Sequence, residues 1–312
     1  MRAVRHTDNG IEVVDVPRPD ADDGRVRVHV RGAGICGSDL HMLTWGPMPV
    51  TLGHEVAGHL DDGTPVAVWP LVPCGECDRC AAGEVTQCRS AIPHSYGIGR
   101  DGGMADEIVV EESCVVPLPA GVDVVDASLV EPIACSLHAL RRAGLRRDER
   151  VAVVGAGAIG LAAAAVARAM GCTVDVLARH DAQREAAERI GAGTDPEGEY
   201  GVVVDAAGTD SALKTCFKLL RPGGTVALVA SYWEPVQFPQ FFSMKEPVVV
   251  GSNMHGHDET GRDMDAAARV LADSPELAAA MITHRFPLDR AADAFTVAAD
   301  RASGAIKVLL EP

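Results

Sequence analysis

Hydrophobic and polar positions change rhythm once along the chain, near Glu131-Pro132. Before that point apolar residues alternate: Val26, Val28 and Val30 are interleaved with Arg27, His29 and Arg31. A period of two turns one face of a strand inward. Short runs of this kind are separated by turn-forming stretches, Asp22-Asp23-Gly24, Asp61-Asp62-Gly63 and Asp101-Gly102-Gly103. The pattern predicts an antiparallel, barrel-like β domain. Beyond Pro132 the residues 133–143 have helical spacing, and strands then alternate with helices. Strands are predicted at 151–154, 173–178, 201–205, 225–230 and 248–251, and helices at 159–170, 182–190 and 211–220. Alternation of this kind builds a doubly wound parallel sheet, so the fold class is α/β with a second, mostly β domain. From about His257 the chain mixes a helix with a final apolar strand, 306–310.

At 312 residues the chain is long enough for two domains. The N-terminal stretch MRAVRHTDNG lacks the apolar core of an export signal, and the longest apolar run, near 160–167, is too short for a bilayer. The expectation is a cytoplasmic protein without a membrane partner. A formal net charge of −16 repels nucleic acid, so none is expected as a partner; the acidity reads as solubility. Of nine cysteines, Cys74, Cys77, Cys80 and Cys88 crowd together, whereas Cys36, Cys114, Cys135, Cys172 and Cys216 are scattered. Without an export signal, the crowded four read as metal ligands rather than disulfides.

Gly155-Ala156-Gly157-Ala158-Ile159-Gly160 follows a predicted strand and opens a predicted helix. In that context Gly-x-Gly-x-x-Gly is a dinucleotide fingerprint: a tight turn, a close backbone approach to the pyrophosphate, and close helix–strand packing. The helix N-terminus offers unpaired N–H groups to the phosphates. Cofactor choice is set at the end of the next strand, Leu177-Ala178-Arg179-His180. A small residue followed by Arg leaves room for a 2′-phosphate and supplies its cation, with Arg184 one helical turn on. Asp175 is the rival carboxylate, but it lies inside the strand. NADP is therefore favoured over NAD. Asp205 and Gly208, after the third predicted strand of this domain, are expected to approach a ribose.

The spacing Cys-x2-Cys-x2-Cys-x7-Cys suits one tetrahedral tetrathiolate ion with no open position, a structural zinc in a lobe of about 73–90. Ferredoxin-type runs place the fourth cysteine three residues on, followed by Pro, and a zinc ribbon needs two separated pairs. A second constellation is dispersed: Cys36-Gly-Ser38-Asp-Leu-His41, then Gly53-His54-Glu55, then Glu131-Pro132. Cys, His and carboxylate give three protein ligands and leave a fourth position open, which defines a catalytic metal. Singly, each has a plainer reading, with Cys36 as a core thiol, His54 as a loop residue and Glu55 as surface.

These motifs, with Asp101-Gly-Gly-Met-Ala, Thr283-His284-Arg285-Phe286-Pro287-Leu288 and Ile306-Lys307-Val308, occur in one fixed order along essentially the whole chain. The chain resembles the zinc-containing medium-chain dehydrogenase/reductase family, most closely its sorbitol and threonine dehydrogenase branch. The resemblance implies a GroES-like catalytic domain at 1–132, a Rossmann domain at 133–255 and a return to the catalytic domain at 256–312. It implies hydride transfer between a secondary alcohol or polyol and its ketone, with two zinc ions per chain. Cys36 and His54 would ligate the catalytic ion; Glu55 and Glu131 divide the carboxylate role between them in a way that stays open. Ser38 would take the substrate proton and His41 would release it, with Trp45 and Met48 lining the substrate pocket. The segment between His54 and Cys74 is shorter than usual in the family. L-Threonine and aminocyclitol substrates remain alternatives, as does a non-catalytic zinc- and dinucleotide-binding protein. A homodimer or homotetramer is the expected assembly.

Overall fold

The computed structural model describes residues 1–22, 24–258, 261–300 and 302–312. Among the described residues the chain forms two compact units. The first comprises Met1–Glu131, Gly256–Ala272 and Ile282–Pro312; the second comprises Pro132–His255 and Asp273–Met281.

The first unit is built on a sheet whose strands run in the order Ile282–Pro287, Lys307–Glu311, Arg25–Ile35, Glu55–Leu60, Pro65–Val68, Val115–Pro117. Glu107–Glu111 pairs with the first half of Arg25–Ile35. Neighbours are antiparallel except Ile282–Pro287 beside Lys307–Glu311. The alternation read at 26–31 is seen in the packing, because Val28 and Val30 are buried while Arg31 is exposed. Asp22 and Gly24 flank the strand, and Asp23 of that turn lies outside the described residues. Asp61-Asp62-Gly63 closes a tight hairpin in which Gly63 N–H reaches Leu60 O at 2.9 Å and Thr64 N–H reaches Asp62 Oδ1 at 2.9 Å. Between residues 73 and 90 only short helical turns form, Asp78–Ala81 and Val85–Gln87.

The second unit is a parallel five-stranded sheet ordered Val248–Gly251, Leu220–Leu228, Tyr200–Asp205, Arg150–Val154, Thr173–Leu177. Its helices include Ala158–Ala169, Asp181–Arg189 and Asp210–Leu219. Sheets of this kind are covered on both faces, which is why their strands read as continuous apolar runs. Val203, Val226, Leu213, Phe217 and Tyr200 pack together in one core. The strand order reverses between Arg150–Val154 and Tyr200–Asp205, the point where such sheets bind ligands.

Two expectations need correction. The strand expected from Thr225 begins at Leu220, because Leu220 pairs with Tyr200 across a register shift that absorbs Pro222-Gly223-Gly224. The stretch 256–312 does not belong wholly to the first unit. Helix Pro275–Met281 buries Leu277, Ala280 and Met281 and packs on helices Ala158–Ala169 and Asp181–Arg189. Its spacing of three and four puts those side chains on one face.

Candidate metal centre and dinucleotide site

Strand Arg25–Ile35 ends at Cys36, which opens the short helix Gly37–Met42. Cys36 N–H donates to Asp39 Oδ2 at 2.9 Å, so the turn is fixed by an acid at its third helical position. The other oxygen, Asp39 Oδ1, lies 3.4 Å from Nδ1 of His54, and both residues are buried. Asp39 thus orients the imidazole and leaves Nε2 facing Ser38 Oγ at 3.4 Å. Burial acts to lower the His54 pKa, but the Asp39 carboxylate and the Cys36 thiol raise it well above the ordinary histidine value. Sulfur of Cys36, a ring nitrogen of His54 and an oxygen of Glu55 all lie within 4.8 Å of one another. A soft thiolate, an imidazole and a carboxylate at that spacing fit one zinc ion with an open fourth position. A carboxylate behind the ligating histidine is the usual support for such an ion.

Glu55 is not a surface residue. Its side chain is 1% exposed, and both carboxylate oxygens accept from Nζ of Lys307 at 2.6 Å. Lys307 is equally buried and donates its remaining proton to Ile35 O at 3.1 Å. Burial opposes the ammonium, yet Glu55 holds its pKa above the ordinary lysine value. Removing one member of a buried pair costs about 3–5 kcal/mol, because the other charge is left without a partner. Glu131, on the first turn of helix Val130–Arg142, is buried and close enough to act electrostatically on Glu55 and Lys307. It does not belong to the converging group of Cys36, His54 and Glu55. Lys307 draws the carboxylate of Glu55 inward, while Glu55 and Glu131 repel each other. His41, at the end of the same short helix as Ser38, is exposed. Trp45 is 70% exposed, which rules out core packing for it, and Met48 is half-buried.

The four thiols also converge. Sγ atoms of Cys74, Cys77, Cys80 and Cys88 lie within 4.8 Å of one another, and Cys74 to Cys80 is 3.9 Å. A tetrahedron with zinc–sulfur bonds of about 2.3 Å has sulfur–sulfur edges near 3.8 Å, so the cluster fits one ion. Backbone N–H groups of Cys74 and Ser90 point at Cys88 Sγ at 3.3 and 3.4 Å. Backbone donors from Arg89 and Cys80 draw the Cys77 thiol down to about 6, whereas loss of solvent pushes Cys80 up to about 12. Without a cation the four sulfurs cannot all ionise together at neutral pH.

In the second unit the glycine motif has the backbone geometry its spacing implies. Gly155 has φ +105° and Gly157 caps helix Ala158–Ala169. A Cβ at Gly157 would meet nothing within 4 Å, whereas one at Gly160 would run into the Gly155 carbonyl. The open side at Gly157 is what a pyrophosphate requires. At the tip of strand Thr173–Leu177, Ala178 is buried and Arg179 exposed. Asp175 accepts from Tyr200 OH at 2.8 Å, with Arg150 at 3.7 Å.

Arg184 and Asp205 have partners within the protein. Arg184 is tied to Thr194 O and Asp195, both at 3.2 Å, because its helical position points it toward that loop. Asp205 is wholly buried. Its Oδ1 accepts from the N–H groups of Ala207 and Gly208 at 2.9 Å and its Oδ2 from Tyr232 OH at 2.8 Å, so the carboxylate braces the turn that follows the strand. Gly208 shares that structural role, with φ +63° and a Cβ position within 2.6 Å of Ser231 O. Asp39 and Lys307 carried no role in the sequence reading. The signals were an acid three residues after Cys36, and a lone charge in the apolar run Ile306-Lys-Val-Leu-Leu.

The profile for the alcohol dehydrogenase GroES-like domain matches residues 22–120, and that for zinc-binding dehydrogenases matches 158–269. L-galactonate-5-dehydrogenase of Escherichia coli K12 is 34% identical over 90% of this chain and 89% of its own length. The chain belongs to the zinc-containing alcohol dehydrogenase family. As a member of that family it is an oxidoreductase. A sorbitol dehydrogenase of Halalkalibacterium halodurans is 30% identical over 100% of this chain and 99% of its own length. A zinc-binding dehydrogenase from Sinorhizobium meliloti 1021, solved with NADP bound, superposes with a TM-score of 0.87. It is 31% identical, covering 100% of this chain and 99% of that one. Among the described residues no helix is long and apolar enough to cross a membrane.

Proposed function

We propose that the protein is a zinc-dependent, NADP-preferring dehydrogenase that moves a hydride between a secondary alcohol or polyol and its ketone. The observation that carries this reading is the convergence of Cys36, His54 and Glu55 within 4.8 Å, a donor set of three that leaves one position for substrate. When bound there, zinc supplies a Lewis acid for the substrate oxygen. Ser38 and His41 lie one turn apart on helix Gly37–Met42. Ser38 Oγ, 3.4 Å from His54, takes the proton of the substrate hydroxyl, and the exposed His41 passes it to solvent. Gly155, Gly157 and Gly160 with the N-terminus of helix Ala158–Ala169 hold the pyrophosphate, and Arg179 binds the 2′-phosphate. The relatives named for L-galactonate and sorbitol support a polyhydroxylated substrate.

The four-thiolate lobe holds a second, structural zinc, which favours the reducing cytoplasm. The protein assembles as a homodimer or homotetramer. Strand Val248–Gly251 leaves one edge of the parallel sheet unpaired, and Trp233, Phe238, Phe241, Met244 and Val248 are exposed nearby in the chain, which supports self-association. Metal analysis together with the absorbance of reduced nicotinamide over a panel of polyols, sugar acids and ketones tests the function. Two zinc ions per chain and turnover with a polyol are expected. Loaded protein that oxidises no alcohol and reduces no ketone with either cofactor would leave only a binding role.

A further inference from the structure

We infer that Lys307 is a positioning residue of the metal centre: it shares the Glu55 carboxylate with the ion that Cys36 and His54 bind. That sharing loosens the grip of Glu55 on the ion and keeps the ion's positive charge available to a substrate oxygen. The inference rests on the reading of Cys36, His54 and Glu55 as a metal centre. Lys307 has three N–H donors, and all are spent inside the protein, two on Glu55 at 2.6 Å and one on Ile35 O at 3.1 Å. Side-chain exposures of 3% and 1% for Lys307 and Glu55 leave no water to stand in for either partner.

The strand register holds this arrangement in place. Val308 pairs with Ile35, so Lys307 enters the sheet beside the residue whose carbonyl it caps. Glu55 pairs with Gly34, and a Cβ at position 34 would run into Glu55 Oε2. The carboxylate therefore lies against bare backbone on one side and ammonium on another. A divalent ion, the Cys36 thiolate and the Glu55 carboxylate sum to zero charge, and Lys307 adds one positive charge against the buried carboxylates of Asp39 and Glu131 around them. Without Lys307 the ion would be the only counter-charge for Glu55. It would then be bound more tightly and act as a weaker electrophile, while the metal-free protein would carry a buried carboxylate without the ammonium that donates to both its oxygens.

Cobalt(II) substituted for the native metal provides the test. In K307M, chelator should remove the ion at Cys36 and His54 about tenfold more slowly than from wild type, the low end of effects of residues behind metal ligands. Its visible spectrum should shift, kcat should fall, and release from the four-thiolate lobe should not change. The melting temperature of metal-free K307M should drop by more than that of the loaded protein, and K307R should restore kcat in part. Unchanged or faster release, or equal melting losses with and without metal, would overturn the inference. E55Q/K307M guards against misfolding of the single variant, since it leaves neither charge of the buried pair without its partner, and E55Q is compared with it. They should release cobalt at the same rate, and a tenfold difference between them would show that Lys307 does not act through Glu55. Wild type that takes up one cobalt per chain, in the lobe alone, would remove the metal-centre reading before any variant is made.

Discussion

Arg179→Ala isolates the cofactor preference. Arg179 stands at the exposed tip of the strand ending at Leu177, and among the described residues nothing engages its guanidinium. Removing it breaks no contact of the free protein, so the melting temperature should stay unchanged. A hydrogen bond to a charged group is worth about 1.5–3 kcal/mol, and exposure trims this by salt screening. At about 1.4 kcal/mol per tenfold, kcat/KM for NADP should fall by about ten- to a hundredfold. NAD has no 2′-phosphate, and its kcat/KM should stay within about twofold on the same reasoning. Initial rates with both cofactors over a range of salt measure this, and the NADP loss should shrink as ionic strength rises. Arg184→Ala is the internal control, since that side chain is committed to Thr194 and Asp195. Equal losses with both cofactors, or an unaltered NADP rate, would refute the assignment of Arg179.

His54→Ala should abolish turnover and lower bound zinc to one ion per chain, whereas Cys77→Ser should lose the other ion and melt earlier; metal analysis of the purified variants separates the two. Tyr232→Phe should destabilise the protein by about 1–3 kcal/mol, because Asp205 is buried and its Oδ2 loses the Tyr232 donor. Denaturant unfolding measures it, and KM for the cofactor should hardly move if Asp205 is structural. Arg2 donates to Asp106 from its side chain and backbone, and these bonds overcome partial burial to hold the Asp106 carboxyl below its ordinary value. A depressed folded pKa contributes stability above the unfolded value of about 3.9 and loses it as pH falls through the folded one. The stability gap between wild type and Asp106→Asn should therefore be constant from neutral pH to about 5 and close in acid.

Periodicity was enough to find the elements, since each of the five parallel strands overlaps its expected range. Burial on both faces leaves unbroken apolar runs that composition alone reveals. The glycine fingerprint was legible for a similar reason: Gly155, Gly157 and Gly160 each answer a constraint local to six residues. The contacts of Arg184 were not legible because direction around a helix, not distance along the chain, brings it to Thr194 and Asp195. The bond of Asp205 to Tyr232 was not legible because Tyr232 lies 27 residues on, in an irregular segment. Lys307 was visible as a motif letter, but its partner is 252 residues away and only the strand register brings them together.

The first unit is not a single length of chain, since residues 1–131 depend on a strand that follows the whole of the second unit. Expressed alone, that stretch would keep every thiol and imidazole assigned to metal and still present Glu55 to the interior without its ammonium. Such a fragment is expected to aggregate rather than fold. A minimal metal-binding piece would have to be made by splicing residue 131 to the later segments across a short linker, leaving the dinucleotide unit out.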